Sequence, residues 1–522
     1  MKAWLFAACI ATVSTGSSCD LHAQDAGAVL EAIESSTIAA IDKAEPSVVA
    51  IARIPKQARP NSRARFNPLS LDSPMEFDSP ISDPDFVPTF YGSGVIISAD
   101  GFVLTCAHLL GDPEENDYFI WRSGKSFRAK RVSPMPETSS PDSQGRGRST
   151  VAQVQASDAF SDLAVLKIDA ANLTPIEFGS TKDLRKGKFV IALGNPDAIA
   201  RDGTPSASWG IIANLNRIAP SRKEATFGNK ETVHEYGTLI QTDAKMNFGS
   251  SGGALIDMKG RLIGLTTSLA AQKSVGHAGG YAIAADELFL RVIEELKAGR
   301  LPDFGFLGIQ PDDLRLSDRE KGRRGARVRV VLPGLPADLA GLQTDDIIIE
   351  VNGAPIYDRD DLFRELSLPP AGENLRLLVH RYRSGAETPE ILPLRAKLGK
   401  KPLRSARPSY AIHQRPRWRG LEVDYWTAIS TEIQRIGISA PRFPQLKVAV
   451  SDIEHGTTVW NAGVRAGYGI LKVQGQSVQS PDEFRKAVEN LAGPVTLEII
   501  QTDGRKKILT IPVPTESHSE SS

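Results

Sequence analysis

The sequence predicts a mainly β, multidomain protein, with an antiparallel sandwich or barrel in its N-terminal half and two copies of a smaller module in its C-terminal half. Its 522 residues exceed what one hydrophobic core usually organises, which is roughly 100–200 residues per domain. Short apolar runs alternate with Gly, Asn, Asp and Pro turns between residues 47 and 285, as in an all-β domain. In the C-terminal half, glycine-containing motifs recur at one constant offset along the sequence, which indicates an internal repeat.

A secretory signal peptide is predicted over residues 1–23. Lys2 precedes the apolar stretch 3–13, and small and polar residues follow as far as Ala23, which is the order typical of such signals. The apolar stretch is well short of the ~20 residues that span a bilayer. We therefore expect cleavage after Ala23 and a periplasmic or secreted mature chain. A lipid anchor at Cys19 is the less favoured alternative, because Gly16 stands where such signals usually carry Leu.

Charge and cysteine content restrict the functions that fit the chain. Lys and Arg (62) balance Asp and Glu (62), so no net field attracts nucleic acid or an anionic membrane. Once the signal is removed, Cys106 is the sole cysteine and has no intramolecular disulfide partner. The sequence contains neither paired His/Cys ligand spacing nor a glycine-rich phosphate loop. We therefore expect no metal and no organic cofactor.

Residues 24–299 are predicted to form the β domain, closed by one helix. Its clearest strand-like runs are 48–51, 94–97, 102–104, 163–166, 189–193 and 262–265. Four apolar residues at helical spacing predict a helix over residues 286–297: Leu288, Val292, Ile293 and Leu296. Two stretches near 55–90 and 133–150 are rich in Pro, Ser, Asp and Arg without periodicity, and we expect long mobile loops there.

The C-terminal part contains two copies of one module, at residues 303–398 and 417–515. Gly341 and Gly353 of the first copy return as Gly463 and Gly475, an offset of 122 residues in both cases. Residues 399–416 between the copies are basic and contain Pro. They are predicted to be a solvated linker rather than a segment that binds nucleic acid or anionic lipid. Residues 516–522 are predicted to be a disordered tail.

The strongest local signal for chemistry is the sequence Asn-Phe-Gly-Ser-Ser-Gly-Gly-Ala-Leu at 247–255. A nucleophilic serine needs an exposed position on a tight turn, and small neighbours let backbone N–H groups converge on a developing oxyanion. Taken alone, such a cluster is more often only a turn. His108 follows the run 102–104 at a strand end, where it would act as general base. It too is a weak signal alone.

The acid that would orient this imidazole has three candidates, Asp158, Asp162 and Asp169. Asp162 directly precedes an apolar run, which places it at the edge of a buried strand, whereas the other two are expected to cap turns. His108, Asp162 and Ser251 are separated by 54 and 89 residues and occur in the order of chymotrypsin-type triads. The three together are a much stronger signal than any one of them.

These features resemble the HtrA/Deg family of PDZ-containing trypsin-like serine proteases over nearly the whole mature chain. The motifs that carry the resemblance are Pro-Ser-Val-Val at 46–49, Gly-Ser-Gly-Val-Ile at 92–96, Thr-Cys-Ala-His at 105–108, Asp-Leu-Ala-Val-Leu-Lys at 162–167, Gly-Asn-Pro at 194–196, Gln-Thr-Asp-Ala at 241–244 and Gly-Ser-Ser-Gly-Gly at 249–253. The resemblance implies a chymotrypsin-like double β-barrel followed by two PDZ-type α+β domains.

By this resemblance, Ser251 is the nucleophile, His108 the general base and Asp162 the residue that fixes the imidazole tautomer. The backbone N–H groups of Gly249 and Ser251 would form the oxyanion hole. Four positions depart from the family pattern: Cys106, Phe248, Ser250 and Ala254. None of them removes a triad member, but they leave the rigidity of the nucleophile loop and the shape of the oxyanion hole open.

Lys245 and Met246 lie where trypsin-like enzymes build the floor of the pocket for the substrate side chain. Lys245 pointing inward would favour acidic side chains, whereas Met246 would favour small aliphatic ones. The family's preference for small apolar residues supports Met246. Cys106, two residues from the proposed base, is interpreted as a small buried apolar side chain in preference to a redox switch.

The repeated modules resemble PDZ domains. Four residues look like the loop whose N–H groups receive the C-terminal carboxylate of a peptide: Phe306, Leu307, Gly308 and Ile309. In the second copy, Glu422 lies within the matching sequence Gly-Leu-Glu-Val at 420–423. Its negative charge would oppose the carboxylate, so we expect the first module to be the better peptide binder.

The sequence thus predicts an ATP-independent serine endopeptidase that degrades misfolded or exported proteins, with PDZ domains that bind peptide C-termini. The resemblance implies a homo-oligomer, a trimer or a multiple of it, and no nucleic-acid partner is expected. The alternative is a noncatalytic chaperone or PDZ scaffold on a protease-like platform, although such a platform needs neither His108 nor Ser251. A hydrolase of esters or of a non-protein polymer is a third hypothesis, which the peptide-binding modules disfavour.

Overall fold

The computed structural model describes residues 17–56, 90–122, 150–195, 204–218, 232–267, 280–383, 386–403, 409–429 and 446–514. Most of residues 1–23, nearly all of the two loops expected near 55–90 and 133–150, and the tail at 516–522 lie outside these ranges. The described residues form two barrels and two smaller sheets, joined by short helices and turns.

The first described element is helix α1 (Ser17–Ala44), which begins before the expected cleavage position. Its C-terminal end packs on the β region, where Ala40 and Ala44 are buried and Lys43 pairs with Glu177 at 2.6 Å. Within the described residues, no helix combines the length and apolar character needed to cross a bilayer. Removal of the signal after Ala23 stays a prediction.

Six strands form the first barrel: β1 (Val48–Pro55), β2 (Phe90–Ile96), β3 (Phe102–Cys106), β4 (Asn116–Trp121), β5 (Thr150–Asp158) and β6 (Leu163–Lys167). They run in the order β5-β4-β1-β2-β3-β6, and a pairing between β5 and β6 joins the two ends. Along β4 buried and half-buried residues alternate, because successive side chains of a strand point to opposite faces.

Six further strands close a second barrel: β7 (Phe189–Gly194), β8 (Ser206–Arg217), β9 (Leu239–Thr242), β10 (Ala254–Ile256), β11 (Leu262–Thr267) and β12 (Gly280–Ala284). Helix α2 (Glu287–Lys297) follows, and Asp286 caps it by accepting the Phe289 N–H. The four apolar residues whose spacing predicted this helix are all buried. The predicted double β-barrel is therefore confirmed, and the largest core cluster draws residues from both barrels.

Two smaller units fill the C-terminal half. The first contains β13 (Gly305–Phe306), β14 (Ile309–Asp312), α3 (Leu316–Glu320), β15 (Ala326–Val331), α4 (Pro336–Leu339), β16 (Ile347–Val351), β17 (Ala354–Pro355), α5 (Arg359–Ser367), β18 (Asn374–Arg381) and β19 (Glu390–Lys397), and is followed by β20 (Gly399–Lys400) and β21 (Tyr410–Ala411). The second contains β22 (Leu421–Tyr425), β23 (Val448–Ile453), α6 (Thr458–Asn461), β24 (Gly469–Val473), β25 (Gln476–Ser477), α7 (Pro481–Glu489), β26 (Val495–Ile500) and β27 (Lys506–Ile511).

The two units share one topology, with sheet orders β14-β15-β16-β18-β19 and β22-β23-β24-β26-β27. The repeat is confirmed from β15 to α5, since β23 begins 122 residues after β15 (448 − 326) and α7 begins 122 residues after α5 (481 − 359). From β14 to β22 the offset is 112 (421 − 309). The second unit therefore carries extra chain between its first two strands.

The stretch 399–416, expected to be a solvated linker, contacts the folded units over part of its length. β20 pairs with β13, and β21 pairs with β5 of the first barrel. Lys400 is buried, with its Nζ 2.6 Å from Asp303 and 3.0 Å from Asp424. A lysine can be buried like this because carboxylates from other parts of the chain, here Asp303 and Asp424, compensate its charge.

Candidate active site

His108 sits immediately after β3, in a short 3-10 turn (Ala107–Leu109). Because β3 is buried in the first barrel, the turn presents the imidazole from a fixed strand end. The His108 N–H donates to Asp162 Oδ1 at 3.0 Å, and the His108 Nδ1 lies 2.7 Å from Asp162 Oδ2. One carboxylate therefore holds both the backbone and the ring of His108.

Asp162 lies in the turn between β5 and β6 and is 1% exposed. Its φ of 55° places it in the left-handed region, which costs a non-glycine residue about 1–2 kcal/mol. The Ala107 N–H donates to the Asp162 carbonyl at 2.9 Å, which adds a third contact to the segment that carries His108. Of the three candidate acids, this is the one that reaches His108: Asp158 bonds within its own turn, and Asp169 is exposed.

The contact with Asp162 assigns the tautomer of His108. A carboxylate accepts hydrogen bonds, so Nδ1 carries the proton and Nε2 of the neutral ring carries a lone pair. In the described part of the chain, the buried Nε2 has no hydrogen-bond partner. The ring is therefore arranged to take a proton at Nε2 while Asp162 holds its other side.

Ser251 is 3% exposed, and a single side chain from the first barrel organises its loop. The Ser93 hydroxyl donates to the Gly249 carbonyl at 2.7 Å and accepts the Asn195 N–H at 2.8 Å. The Ser93 N–H donates to the Ser251 carbonyl at 2.8 Å. Our sequence interpretation did not assign a role to Ser93, although it lies in one of the motifs that carry the family resemblance.

The second barrel holds the other side of the loop. Thr266 in β11 donates its hydroxyl to the Ser250 carbonyl, accepts the Gly252 N–H at 2.8 Å and donates its own N–H to Gly253 at 2.9 Å. Gly252 has φ 83°, and a Cβ there would lie 2.1 Å from the Ser93 carbonyl. The Ser250 hydroxyl accepts the Asn247 N–H at 3.2 Å, so this departure from the family pattern still bonds within the loop.

Gly249 is the other glycine that the loop requires. It has φ 92°, and a Cβ there would lie 2.3 Å from the Asn195 carbonyl and 2.8 Å from the Tyr91 ring. Phe248, the neighbouring departure from the family pattern, is 70% exposed. A large apolar side chain thus lies open to solvent beside the proposed nucleophile.

Cys106 is fully buried at the end of β3, two residues before His108, and its Sγ lies 3.5 Å from the Thr266 carbonyl. Burial, reinforced by the charge of Asp162, raises the pKa of the Cys106 thiol well above its usual range. A protonated and inaccessible thiol supports the interpretation as a small apolar side chain. Cys106, His108 and Asp162 offer ligand atoms within 4.8 Å of one another, but a cysteine must lose its proton to bind a metal.

The turn before Asp162 has buried polar support that the sequence interpretation missed. The Asp158 Oδ2 accepts the N–H and hydroxyl of Ser161 at 2.8 and 2.7 Å, and burial raises the pKa of Asp158. The His234 Nε2 lies 2.8 Å from the Ser161 carbonyl, and its Nδ1 lies 2.7 Å from the Thr238 hydroxyl. Since a carbonyl only accepts, Nε2 carries the proton. Burial lowers the pKa of His234, which favours this neutral form.

The two predicted pocket residues point in different directions. Lys245 is exposed, and its N–H donates to the Ser208 hydroxyl at 2.8 Å. Met246 is half-buried against the core of the second barrel, and its sulfur lies 2.9 Å from where a Cβ would stand on Gly280. Met246 is therefore the one of the pair that packs inward.

The predicted carboxylate loop of the first PDZ-type unit lies at the free end of its sheet. Gly308 has φ 81°, and its carbonyl accepts the Leu332 N–H at 3.0 Å. A Cβ on Gly308 would lie 2.5 Å from Leu335, whereas Leu307 is buried in the core of the unit and Phe306 pairs with β20. Among the described strands, β14, which begins at Ile309, pairs on one side only. This leaves an edge to which a peptide strand can be added.

In the second unit, Glu422 has basic neighbours. Its carboxylate lies 3.7 Å from Arg417 and 3.9 Å from Arg415, and accepts the Ser451 hydroxyl at 3.3 Å. The charge that was expected to oppose a peptide carboxylate is therefore offset locally. Trp418, just before the matching loop, packs edge-on against Phe484 of α7 at 6.1 Å.

Comparison with known proteins links both halves of the chain to described families. Residues 92–265 match the trypsin-like peptidase domain, and residues 327–381 match the PDZ domain. A probable periplasmic serine endoprotease, DegP-like, from Chlamydia trachomatis is 30% identical over 420 residues, covering 79% of this chain and 72% of that protein. A probable periplasmic serine protease, do/HhoA-like, from Haemophilus influenzae is 26% identical over 501 residues, covering 91% and 92%.

Among solved structures, the HtrA-type protease AlgW with a decapeptide is 25% identical, with a TM-score of 0.45. The match covers 70% of this chain and 99% of that one.

Proposed function

Because the chain belongs to the DegP-like, HtrA-type family of trypsin-like serine endoproteases, we propose that it cleaves polypeptides with Ser251 as nucleophile, His108 as general base and Asp162 as the orienting acid. The observation that carries this proposal is the 2.7 Å contact between the His108 Nδ1 and the Asp162 Oδ2, together with a His108 Nε2 that has no partner among the described residues.

In the first half of the reaction, the His108 Nε2 takes the hydroxyl proton of Ser251 as Oγ attacks the scissile carbonyl carbon. Asp162 stabilises the imidazolium that forms and does not itself take the proton. The oxyanion accepts hydrogen bonds from the N–H groups of Gly249 and Ser251, which cost no reorganisation because the loop is already fixed by Ser93. The imidazolium then protonates the leaving amine.

In the second half, water replaces the amine. His108 removes a proton from this water, which attacks the acyl-ester on Ser251 and forms a second oxyanion at the same site. Collapse of that intermediate passes the proton from His108 to the Ser251 Oγ and releases the product as a carboxylic acid, which ionises in water to the carboxylate. The two halves together consume one water molecule and return His108 and Ser251 to their starting protonation states.

Substrate selection involves the barrel pocket and the PDZ-type units. Met246, packed inward near Gly280, favours small aliphatic side chains before the scissile bond. The free edge of β14 and the loop 306–309 bind the C-terminus of a misfolded or exported polypeptide. We place the mature chain in the periplasm, after removal of residues 1–23, because the relatives carry that location in their names. It acts as a trimer or a multiple of one.

The test is degradation of an unfolded protein such as casein by the full-length mature chain and by Ser251→Ala, without ATP or added metal. We expect cleavage by the first and, for the variant, a loss of roughly a million-fold in kcat. If neither protein cuts and both suppress aggregation, the chaperone alternative replaces this proposal. Equal cleavage by both would mean that Ser251 is not the nucleophile.

A further inference from the structure

The chain between the two PDZ-type units returns to the first barrel and docks beside the turn that precedes Asp162. β21 pairs antiparallel with the end of β5, where Tyr410 lies opposite Ser157. Ile412, the first residue after β21, donates its N–H to the Gln155 carbonyl at 2.9 Å. β21 is thereby an added edge strand of the first sheet.

Ser409 closes the turn from outside. Its hydroxyl oxygen accepts the Ala159 N–H at 3.0 Å and lies 3.5 Å from the Asp158 Oδ1. The second carboxylate oxygen of Asp158 is taken by the N–H and hydroxyl of Ser161. A residue 250 positions along the chain from Ala159 thus supports the start of the turn that ends at Asp162.

The other end of this connection is fixed to the second PDZ-type unit. Arg415 forms an ion pair with Asp424 in β22, and its guanidinium lies 4.0 Å from Asp303. Arg417 forms an ion pair with Asp452 in β23. The start of β22 is only ten positions after Ala411 (421 − 411). A displacement of the second unit therefore pulls directly on β21.

We propose that Ser409 and β21 form a positioning element for Asp162, so that the connection between the PDZ-type units supports the catalytic acid. When β21 is docked, Ser409 holds the turn 158–161, and Asp162 keeps the left-handed conformation that its contact with His108 requires. When β21 leaves β5, the Ala159 N–H loses its acceptor and the turn loosens. This inference rests on the proposed function.

The experiment compares full-length Ser409→Ala with the wild type on an internally quenched peptide that the wild type cleaves. We expect kcat to fall about tenfold, because a donor left without its acceptor destabilises the geometry it supports, and KM to stay within about twofold. Ser409→Thr keeps the hydroxyl and should restore kcat. Ser480→Ala is the matched control: its hydroxyl accepts the Glu483 N–H at 3.1 Å in the second PDZ-type unit, and kcat should not change.

Ile412→Pro provides an independent variant. It removes the N–H that bonds to the Gln155 carbonyl but does not change the Ser409 side chain. Faster hydrogen exchange at residues 155–159 would report release of β21, and kcat should fall with it. Wild-type kcat in a variant whose exchange shows release would overturn the inference. So would a Ser409→Ala defect that Thr does not rescue and that only follows the melting temperature. A wild type that does not cleave, or that cleaves as Ser251→Ala does, refutes the proposed function instead.

Discussion

Ser251 and Asp162 belong to the same candidate site, but their supports come from different distances along the chain. The loop of Ser251 is held by Ser93 and Thr266, one from each barrel. The turn before Asp162 is held by His234 and by Ser409, which lies beyond the first PDZ-type unit. We call the loop of the proposed nucleophile Ser251 the nucleophile half of the site, and the turn before the proposed acid Asp162 the acid half. The contacts named for the nucleophile half come from the two barrels, whereas the acid half is also contacted by a residue beyond the first PDZ-type unit.

A second contact strengthens this dependence. Phe363 of α5, in the first PDZ-type unit, stacks on Tyr236 at 4.2 Å, and Arg364 donates to the Tyr236 carbonyl at 3.1 Å. Tyr236 lies two residues after His234, in the same 3-10 turn. One C-terminal contact thus reaches the turn before Asp162 directly, through Ser409, and the other reaches the 3-10 turn that contains His234. We therefore expect any influence of the PDZ-type units on activity to act through the acid half rather than through the loop of Ser251.

The largest effect is expected from Gly252→Ala, which changes the loop of Ser251, in the nucleophile half. The new Cβ would lie 2.1 Å from the Ser93 carbonyl, a backbone atom that cannot rotate away, so the loop must move. We expect kcat/KM to fall by about 10²–10³, the loss seen when an oxyanion donor is removed. Gly475→Ala is the control, because it has a similar φ of 79° and no atom within 4 Å of its Cβ. Equal activity of Gly252→Ala and the wild type would contradict the close packing of this loop.

The nucleophile half can be predicted from the sequence better than the acid half, because its key residues are close together along the chain. Gly249, Ser251 and Gly252 lie within four consecutive residues, so this cluster of glycine and serine indicates a tight turn from local sequence alone. Ser409 is 251 residues from Asp158, and no local pattern connects them. The stretch 399–416 was expected to be solvated because its composition is basic, but composition does not reveal the carboxylates of Asp303 and Asp424 that compensate it.

A smaller effect, confined to the acid half, is expected on acidification. Burial lowers the pKa of His234 in the folded chain. Below about pH 6.5, the ordinary pKa of histidine, His234 is therefore protonated in the unfolded chain but still neutral in the folded chain. The stability contributed by neutral His234 is present above that pH and is lost as pH falls through the lowered pKa, by up to about 1.4 kcal/mol per pH unit.

The measurement is the melting temperature of the wild type and of His234→Gln between pH 7.5 and 5. Gln keeps a donor for the Ser161 carbonyl but does not titrate, so its melting temperature should decline less steeply. The contacts of the Ser251 loop described above use hydroxyl and backbone groups, which do not titrate in this range. Parallel curves for the two proteins would show that His234 does not couple the acid half to pH.

The smallest effect is expected from Cys106→Ala, which lies between the two halves. The Cys106 Sγ makes a long contact to the Thr266 carbonyl and lies within 4.8 Å of ligand atoms of His108 and Asp162, while the side chain belongs to the core cluster shared by the two barrels. Its loss should cost about 1 kcal/mol of stability and change kcat by no more than about twofold. Because burial raises the pKa of this thiol, peroxide should inactivate the wild type and the variant at the same rate, as measured by residual peptide cleavage. Protection by the substitution would instead show that Cys106 senses oxidants. The interpretation of Cys106 as an inert, buried apolar side chain would then be wrong.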